Sequence, residues 1–473
     1  MNEDWLAVCI GLLVFTLSLG LLFGADLLGW AVKTSVWMVP AKALSPVSKN
    51  FSAWSGIGSL LATFGFVLIV LVLGSRAMRT NVTRFVVGVT AIFAVSYACW
   101  FLGSWAYIAA TPDTRKVFGI GWSLNLTNES GYILALLAGL VFGNFMPGLV
   151  QKFKDAIRPE LFIKSGIVML GGFLGITALG QRKLASVMLF QGLCAIVCAY
   201  LIFWPIVYYV ARRYFRFSRE WAAPLASGIS ICGVSAAIAT GSAIKARPQI
   251  PVMVSSLVVI FSVVELLILP FAAQHYLFGQ PMVAGAWMGL AVKTDGAAVA
   301  SGAIADALVQ SKAIAAGMHF QPGWTLGVAT TVKVFIDIFI GVWAFLLAWV
   351  WSAKIERRQD EKVRGMQIWQ RFPKFILGYV ATFLIVLALG ALVPRLVPTI
   401  TTAMGEANVF RTIFFVMTFF AIGALSNFRK LWQDGIAKLA AVYVLCLFGY
   451  IIWIGLLISW LFFHGMLPPA VKG

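Results

Sequence analysis

The chain has 473 residues, 61% of them hydrophobic and only 11% charged, where a soluble domain carries about a quarter charged residues. Its 36 Lys and Arg outnumber 17 Asp and Glu, for a formal net charge of +19, but the basic residues are spread over loops between apolar runs. This pattern excludes a soluble domain and a nucleic-acid binder, and it reads as an all-α polytopic membrane protein.

Met1-Asn-Glu-Asp4 is acidic where a cleaved signal peptide would be basic, so 5–23 is expected to be a retained helix. The stretch 25–51 holds Trp30, Trp37 and lysines and suits an interfacial helix or loop. Spans are expected near 54–75 and 84–110. Ten more follow near 130–150, 160–180, 184–211, 220–244, 250–273, 282–305, 327–351, 374–393, 408–428 and 439–463, about thirteen in all. The segments 85–112, 184–211 and 439–463 contain no Asp, Glu, Lys or Arg. Basic clusters fall on alternate loops: Arg76, Arg79 and Arg84; Lys152, Lys154 and Arg158; Arg212, Arg213, Arg216 and Arg219; Lys354 to Arg371; and Arg429, Lys430 and Lys438. Such alternation is the positive-inside signal of a membrane protein.

The last ten spans divide into five and five. Ala138-Gly-Leu-Val-Phe-Gly-Asn144 opens the first set and Met288-Gly-Leu-Ala-Val-Lys-Thr-Asp295 the second. An odd number of spans per copy inverts the second copy relative to the first. The expected organisation is therefore an accessory three-helix region over 1–128, a first inverted repeat over 129–278 and a second over 279–473. The accessory spans are expected to serve as an added or dimerisation element of a homodimer.

Two stretches interrupt apolar helices at matching places, Gly228-Ile-Ser-Ile-Cys-Gly-Val-Ser235 and Ala421-Ile-Gly-Ala-Leu-Ser-Asn427. A helix broken within a bilayer persists only where its freed backbone is buried in protein or lines a watery cavity. Paired breaks point to the substrate site of a secondary transporter. In the first, glycines free the backbone and Ser230, Cys232 and Ser235 offer small polar groups. A half-helix starting near Val234 turns a positive N-terminus inward. Close helix packing through small residues is the competing account. In the second, Ser426 and Asn427 precede the basic loop, where an ordinary helix end would also place Asn.

Lys293-Thr-Asp-Gly296 interrupts a third apolar helix. Charges inside a span are functional candidates by default: Lys293 for attracting an anion, Asp295 for carrying a coupling proton or sodium. Lys333 and Asp337 are four apart, which favours an internal pair. Glu265 stands alone among apolar residues, and Lys164 is placed to snorkel. The substrate site is expected to draw on Asn144, Ser230, Cys232, Gly233, Val234, Ser235, Lys293, Thr294, Ser426 and Asn427, with Asp295 and Asp337 coupling. The three histidines do not cluster and the six cysteines lie in apolar segments, so no metal site, disulfide or cofactor is expected beyond a coupling H+ or Na+. The Walker lysine motif of an ATP-driven pump does not occur.

The stretch from Gly228 to Thr240, followed by Ala243-Ile-Lys-Ala246, resembles the YeiH-like sulfate exporter family of membrane proteins. Gly139-Leu-Val-Phe-Gly-Asn144, Lys164 to Gly172 and Ala421-Ile-Gly-Ala-Leu-Ser426 are similar in the same way, and the likeness covers roughly 130–460. It implies the cation/proton antiporter and anion transporter fold, with inverted five-helix repeats, crossed broken helices and panel and core subdomains. It also implies export of a small inorganic or organic anion of the sulfate or sulfite kind across a bacterial inner membrane. Many relatives carry His-Glu where this chain has Thr294-Asp295, so its coupling chemistry is expected to differ. A proton- or sodium-coupled cation antiporter is the main alternative. A sensor or assembly protein lacks an attached soluble domain, and an enzyme lacks a Lys or His beside Ser230 on its helix.

Overall fold

The computed structural model describes residues 3–78, 80–110, 114–124, 126, 130–179, 182–247, 249–351, 374–426 and 437–471. Helix α1, Glu3–Ser18, runs on into a 3-10 turn, Leu19–Phe23. The chain then departs from an all-helical plan: β1, Val32–Thr34, pairs antiparallel with β2, Leu44–Pro46, with Val32 opposite Pro46. Pro40, with φ fixed and no N–H to donate, turns the chain between them in a short 3-10 segment.

Ser55 caps α2, Gly56–Ala77, and Asn81 caps α3, Val82–Gly103, each side chain accepting a backbone N–H of the first turn. A short turn of helix, α4, spans Ala106–Ala109 and bonds back to Trp37, whose carbonyl accepts from Ala106 N at 2.8 Å. Helix α5, Ser130–Phe145, bends by 107° into α6, Pro147–Phe153. Long helices α7, Pro159–Leu179, and α8, Arg182–Arg213, follow.

The next two segments depart from the expected plan of spans. Helix α9, Arg219–Ser227, passes through a π-helical turn, Gly228–Cys232, and returns as α10, Val234–Ala243. The two limbs lie side by side, with Thr240 Oγ1 2.7 Å from Ser227 Oγ. At their base the Glu220 carboxylate accepts from Arg247 N at 2.8 Å and Nε at 3.2 Å. This is a re-entrant hairpin. Helix α11, Gln249–Tyr276, then leads away over 28 residues, about 42 Å at helical rise. A second hairpin starts at its far end: α12, Pro281–Ala291, stops at 292–294 and returns as α13, Asp295–Ala315. Gly285 of one limb and Gly302 of the other both press on the Thr325–Ala329 turn of α14, Trp324–Val350. The hairpins therefore enter from opposite ends of the bundle, and their tips meet.

The remaining helices are α15, Phe375–Leu392; α16, Val397–Leu425; α17, Ala437–Cys446; and α18, Ile452–Phe463, the last two joined by a π-helical turn, Leu447–Ile451. Among the described residues ten helices are long and apolar enough to cross a membrane, or eleven counting α5 with α6. The segments 220–244 and 282–305, expected as spans, are the hairpins, which accounts for the shortfall from about thirteen. One group of helices packs α7 against α1, α15 and α16, with α5 on α16. The other gathers both hairpins with α8, α11, α14 and α18.

The break expected over 421–427 is not a break as far as Ser426. Helix α16 is continuous to Leu425, and Ala421-Ile-Gly-Ala424 forms a close-packing surface. A Cβ on Gly423 would lie 2.7 Å from Leu140 N, and one on Gly139 2.9 Å from Ala424 N. Small residues bring two membrane helices into backbone contact there. The basic residues of 354–371, with Arg429 and Lys430, lie outside the described residues.

Candidate functional site

The site is built where the hairpin tips touch. Gly233 has φ +56 and ψ −111, a conformation open essentially to glycine. A Cβ there would sit 2.9 Å from Lys293 O and 3.3 Å from Thr294 Cγ2. Glycine thus does two things here: it reverses the chain and it lets the second hairpin approach. Cys232 Sγ donates to Asp295 Oδ1 at 2.6 Å. Ligand atoms of Cys232, Asp295 and Asp337 all lie within 4.8 Å of one another. The three groups form a compact buried polar cluster at the junction.

Four helix ends converge on the junction. The π turn and α12 end there, leaving carbonyls without helical partners, and α10 and α13 begin there. Lys333 of α14 serves the first kind of end: its Nζ donates to Ile231 O at 3.3 Å, Val292 O at 3.1 Å and Lys293 O at 3.3 Å. The ammonium occupies the place a bound cation would take between broken-helix carbonyls, and it is directed to them rather than locked onto Asp337. Thr294 serves the second kind of end, its Oγ1 accepting from Ala297 N at 3.2 Å as the α13 cap.

Lys293 is fully buried, but its side chain turns away from the tip. Its Nζ donates to Leu290 O and lies 5.0 Å from the Phe203 ring centroid. Its backbone N–H donates to Glu265 Oε2 at 3.0 Å. Glu265, isolated in sequence, is thus the buried acceptor that holds the second hairpin to α11. Ser230 Oγ is buried with no hydrogen-bond partner among the described residues. Val234 and Ser235 open α10, where their backbone forms its first turn.

Asn144 and Ser426 come together elsewhere. Asn144 Nδ2 donates to Leu140 O and to Ser426 O, each at 2.9 Å, closing the end of α16 against α5. Ser426 Oγ turns back to Ile422 O at 2.8 Å. Asn427 lies outside the described residues. A cavity of about 380 Å³ links this end of α16 to the tip: Ile422 and Leu425 line it together with Thr294, Gly296, Lys154, Arg158 and Glu160. Its lining residues Arg158 and Glu3 pair at 3.2 Å, and Glu160 pairs at 3.3 Å with Lys164, which also meets Asp4 at 2.9 Å.

As a cation cage the junction offers one thiol and two carboxylates, with the nearest carbonyls already bonded to Lys333. Sequence reasoning did not foresee the carbonyl-binding role of Lys333. It also passed over Arg411, because a span taken to start near 408 puts that residue at a membrane edge. The helix in fact begins at Val397.

A family model described as conserved hypothetical protein 698 matches residues 118–442. A UPF0324 membrane protein of Nitrosomonas europaea is 40% identical over 475 residues, covering 99% of this chain and 97% of its own length. Another from Nitratidesulfovibrio vulgaris is 28% identical over 394 residues, 81% of this chain and 60% of that protein. One from Rhodopirellula baltica is 28% identical over 395 residues, 82% of this chain and 64% of its own. No solved structure matches. The matched span takes in both hairpins and every tip residue, and this chain belongs to the UPF0324 membrane protein family.

Proposed function

We propose that this protein is a secondary active transporter of a small inorganic or organic anion, working by alternating access at the junction of the two hairpin tips. The observation that carries this reading is the meeting of Gly233 with Lys293 O from opposite ends of the bundle. Irregular backbone at membrane depth is tolerated where it lines a pathway, and transporters place their sites at such breaks. Two helices begin at the junction, so two positive N-terminal ends face the site, and the cavity leading to Thr294 is lined by Lys154 and Arg158 beside Glu3 and Glu160. Asp295 and Asp337 carry the coupling ion, a proton in preference to sodium because Lys333 already holds the junction's carbonyls.

The order of elements supports an inverted repeat of a permuted kind. The set α5, α7, α8, first hairpin, α11 corresponds to α15, α16, α17–α18, second hairpin, α14. Under this correspondence the α5–α16 contact maps onto the α7–α15 contact, and both are among the most extensive in the molecule. The hairpin group moves against the α5, α7, α15 and α16 group during the cycle. The protein works as a homodimer in a bacterial inner membrane and exports an anion of the sulfate or sulfite kind. A sodium- or proton-coupled cation antiporter is the second reading, favoured by the Cys232, Asp295 and Asp337 cluster.

The test is a flux screen in proteoliposomes with sulfate, sulfite, thiosulfate, bicarbonate and small organic anions under imposed pH and sodium gradients. Saturable, gradient-driven flux of one anion is expected. Robust sodium–proton exchange with no anion flux would reverse the order of the two readings.

A further inference from the structure

A second polar cavity, of about 320 Å³, lies away from the hairpins, between the β1–β2 ribbon, α3 and α16. Lys33, Thr34, Tyr97, Asn408, Arg411 and Thr412 provide its polar lining. Arg411 stands near mid-length of α16 and is 9% exposed. Its Nε donates to Asn408 Oδ1 at 2.5 Å, and its guanidinium carbon lies 4.9 Å from the Phe415 ring centroid. Its Nη1 is buried without a hydrogen-bond partner, and among the described residues no carboxylate pairs with it. Burying a guanidinium without a counter-charge is costly, and a planar fork of donors suits an oxyanion held by two parallel bonds. Lys33, exposed on β1, adds a second positive charge at the mouth, and the Thr34 and Tyr97 hydroxyls, bonded to each other at 2.8 Å, leave one hydroxyl hydrogen for the wall.

We propose that Arg411 and Lys33 form a binding site for a small tetrahedral oxyanion, distinct from the hairpin junction. Eleven residues separate Arg411 from Ile422, where α16 first borders the other cavity, about 16 Å along the helix. Arg411 is the anchor: it supplies the buried, pre-positioned donor, while Asn408 and Phe415 fix its plane. Lys33 draws the ion in from the ribbon side. A lipid headgroup presents the same phosphate chemistry, but a cavity of about 320 Å³ with a largely polar lining suits a free ion. The site stands whether or not the protein transports, because binding here needs no movement of the hairpins.

Full-length protein in detergent is titrated with labelled sulfate and with inorganic phosphate at constant ionic strength. Saturable binding of one or both is expected, weakened about tenfold or more in Arg411→Gln, a loss of at least 1.4 kcal/mol, and retained in Lys42→Gln, an exposed lysine outside the cavity. Unchanged binding in a folded Arg411→Gln protein overturns the proposal. If that variant fails to fold, Lys33→Gln on the exposed strand decides: a several-fold weakening supports the site and an unchanged affinity overturns it. Native mass spectrometry after reconstitution with phosphatidylglycerol or phosphatidylcholine distinguishes the sources. Arg411-dependent retention of phosphatidylglycerol, with no binding of either free ion, overturns the small-ion assignment.

Discussion

The thiol of Cys232 and the carboxylate of Asp295 lie 2.6 Å apart although 63 residues separate them, and this bond ties one hairpin tip to the other. It sets the geometry of the acid pair proposed to carry the coupling ion. Asp295→Asn and Asp337→Asn are each expected to abolish gradient-driven flux while leaving ligand binding and assembly in place. Flux under a pH gradient and binding to the same purified variant check this. Binding and folding lost together would make the pair structural.

Lys333 is expected to be the most sensitive residue of the junction to truncation. Lys333→Ala leaves three buried carbonyls without their donor, a cost of about 3 kcal/mol or more. A large drop in thermal stability in detergent is the expected outcome. Lys293→Gln gives up one carbonyl of its own helix and the contact with the Phe203 ring, and should lose less.

Glu265 offers a sharper comparison. Its Oε2 accepts from Lys293 N while Oε1 has no described partner. Glu265→Gln keeps an acceptor and should fold almost normally, whereas Glu265→Ala orphans a buried N–H at about 2 kcal/mol. Equal destabilisation by both would show that charge, not the hydrogen bond, is what the site requires.

The two glycine-rich stretches should respond differently to one added methyl group. Gly233→Ala must take a backbone conformation costing about 2–3 kcal/mol and would drive a Cβ toward Lys293 O, so flux is expected to vanish. Gly423→Ala presses α16 off α5, lowering stability while the substrate preference of the remaining activity stays the same. A flux screen with parallel thermal unfolding separates these effects.

These contrasts mark how much of the molecule was legible in sequence. The long apolar helices were, because a bilayer demands uncharged runs of fixed length. The break at Gly228–Gly233 was, because glycine, serine and cysteine replace leucine there. That the break turns the chain back on itself was not: a half-length helix pair and a broken span have the same hydropathy, and the Glu220–Arg247 contact that settles it is local to neither limb. The pattern at 421–427 misled for a related reason, since Gly and Ala serve a helix contact as well as a break. Lys293 drew attention by its charge, but a side chain's direction depends on neighbours such as Phe203, 90 residues earlier. Arg411 was hidden by polar residues in the first half of α16, which made the span look shorter than it is.

The base of the first hairpin should loosen on acidification. Bonds from the Arg247 backbone N–H, and then its side chain, hold the Glu220 carboxyl below its ordinary value of 4.5. A group whose pKa is depressed by folding stabilises the fold above its unfolded value, and that contribution is lost as pH falls through the folded value. The protection of the Arg247 amide against hydrogen exchange, relative to its intrinsic rate at each pH, is expected to fall below about pH 4.5 in the wild type, and Glu220→Gln should show the lower protection already at neutral pH.

The bonds of Lys333 also bear on how the chain is made. The carbonyl of Ile231 waits 102 residues for its donor, through the synthesis of α10, α11 and the entire second hairpin. Until α14 is in place that carbonyl of the first tip lacks its donor, so the tip is expected to remain near water, at the translocon or the bilayer surface. Final seating of both tips therefore belongs to a late step in biogenesis, triggered by the arrival of one lysine.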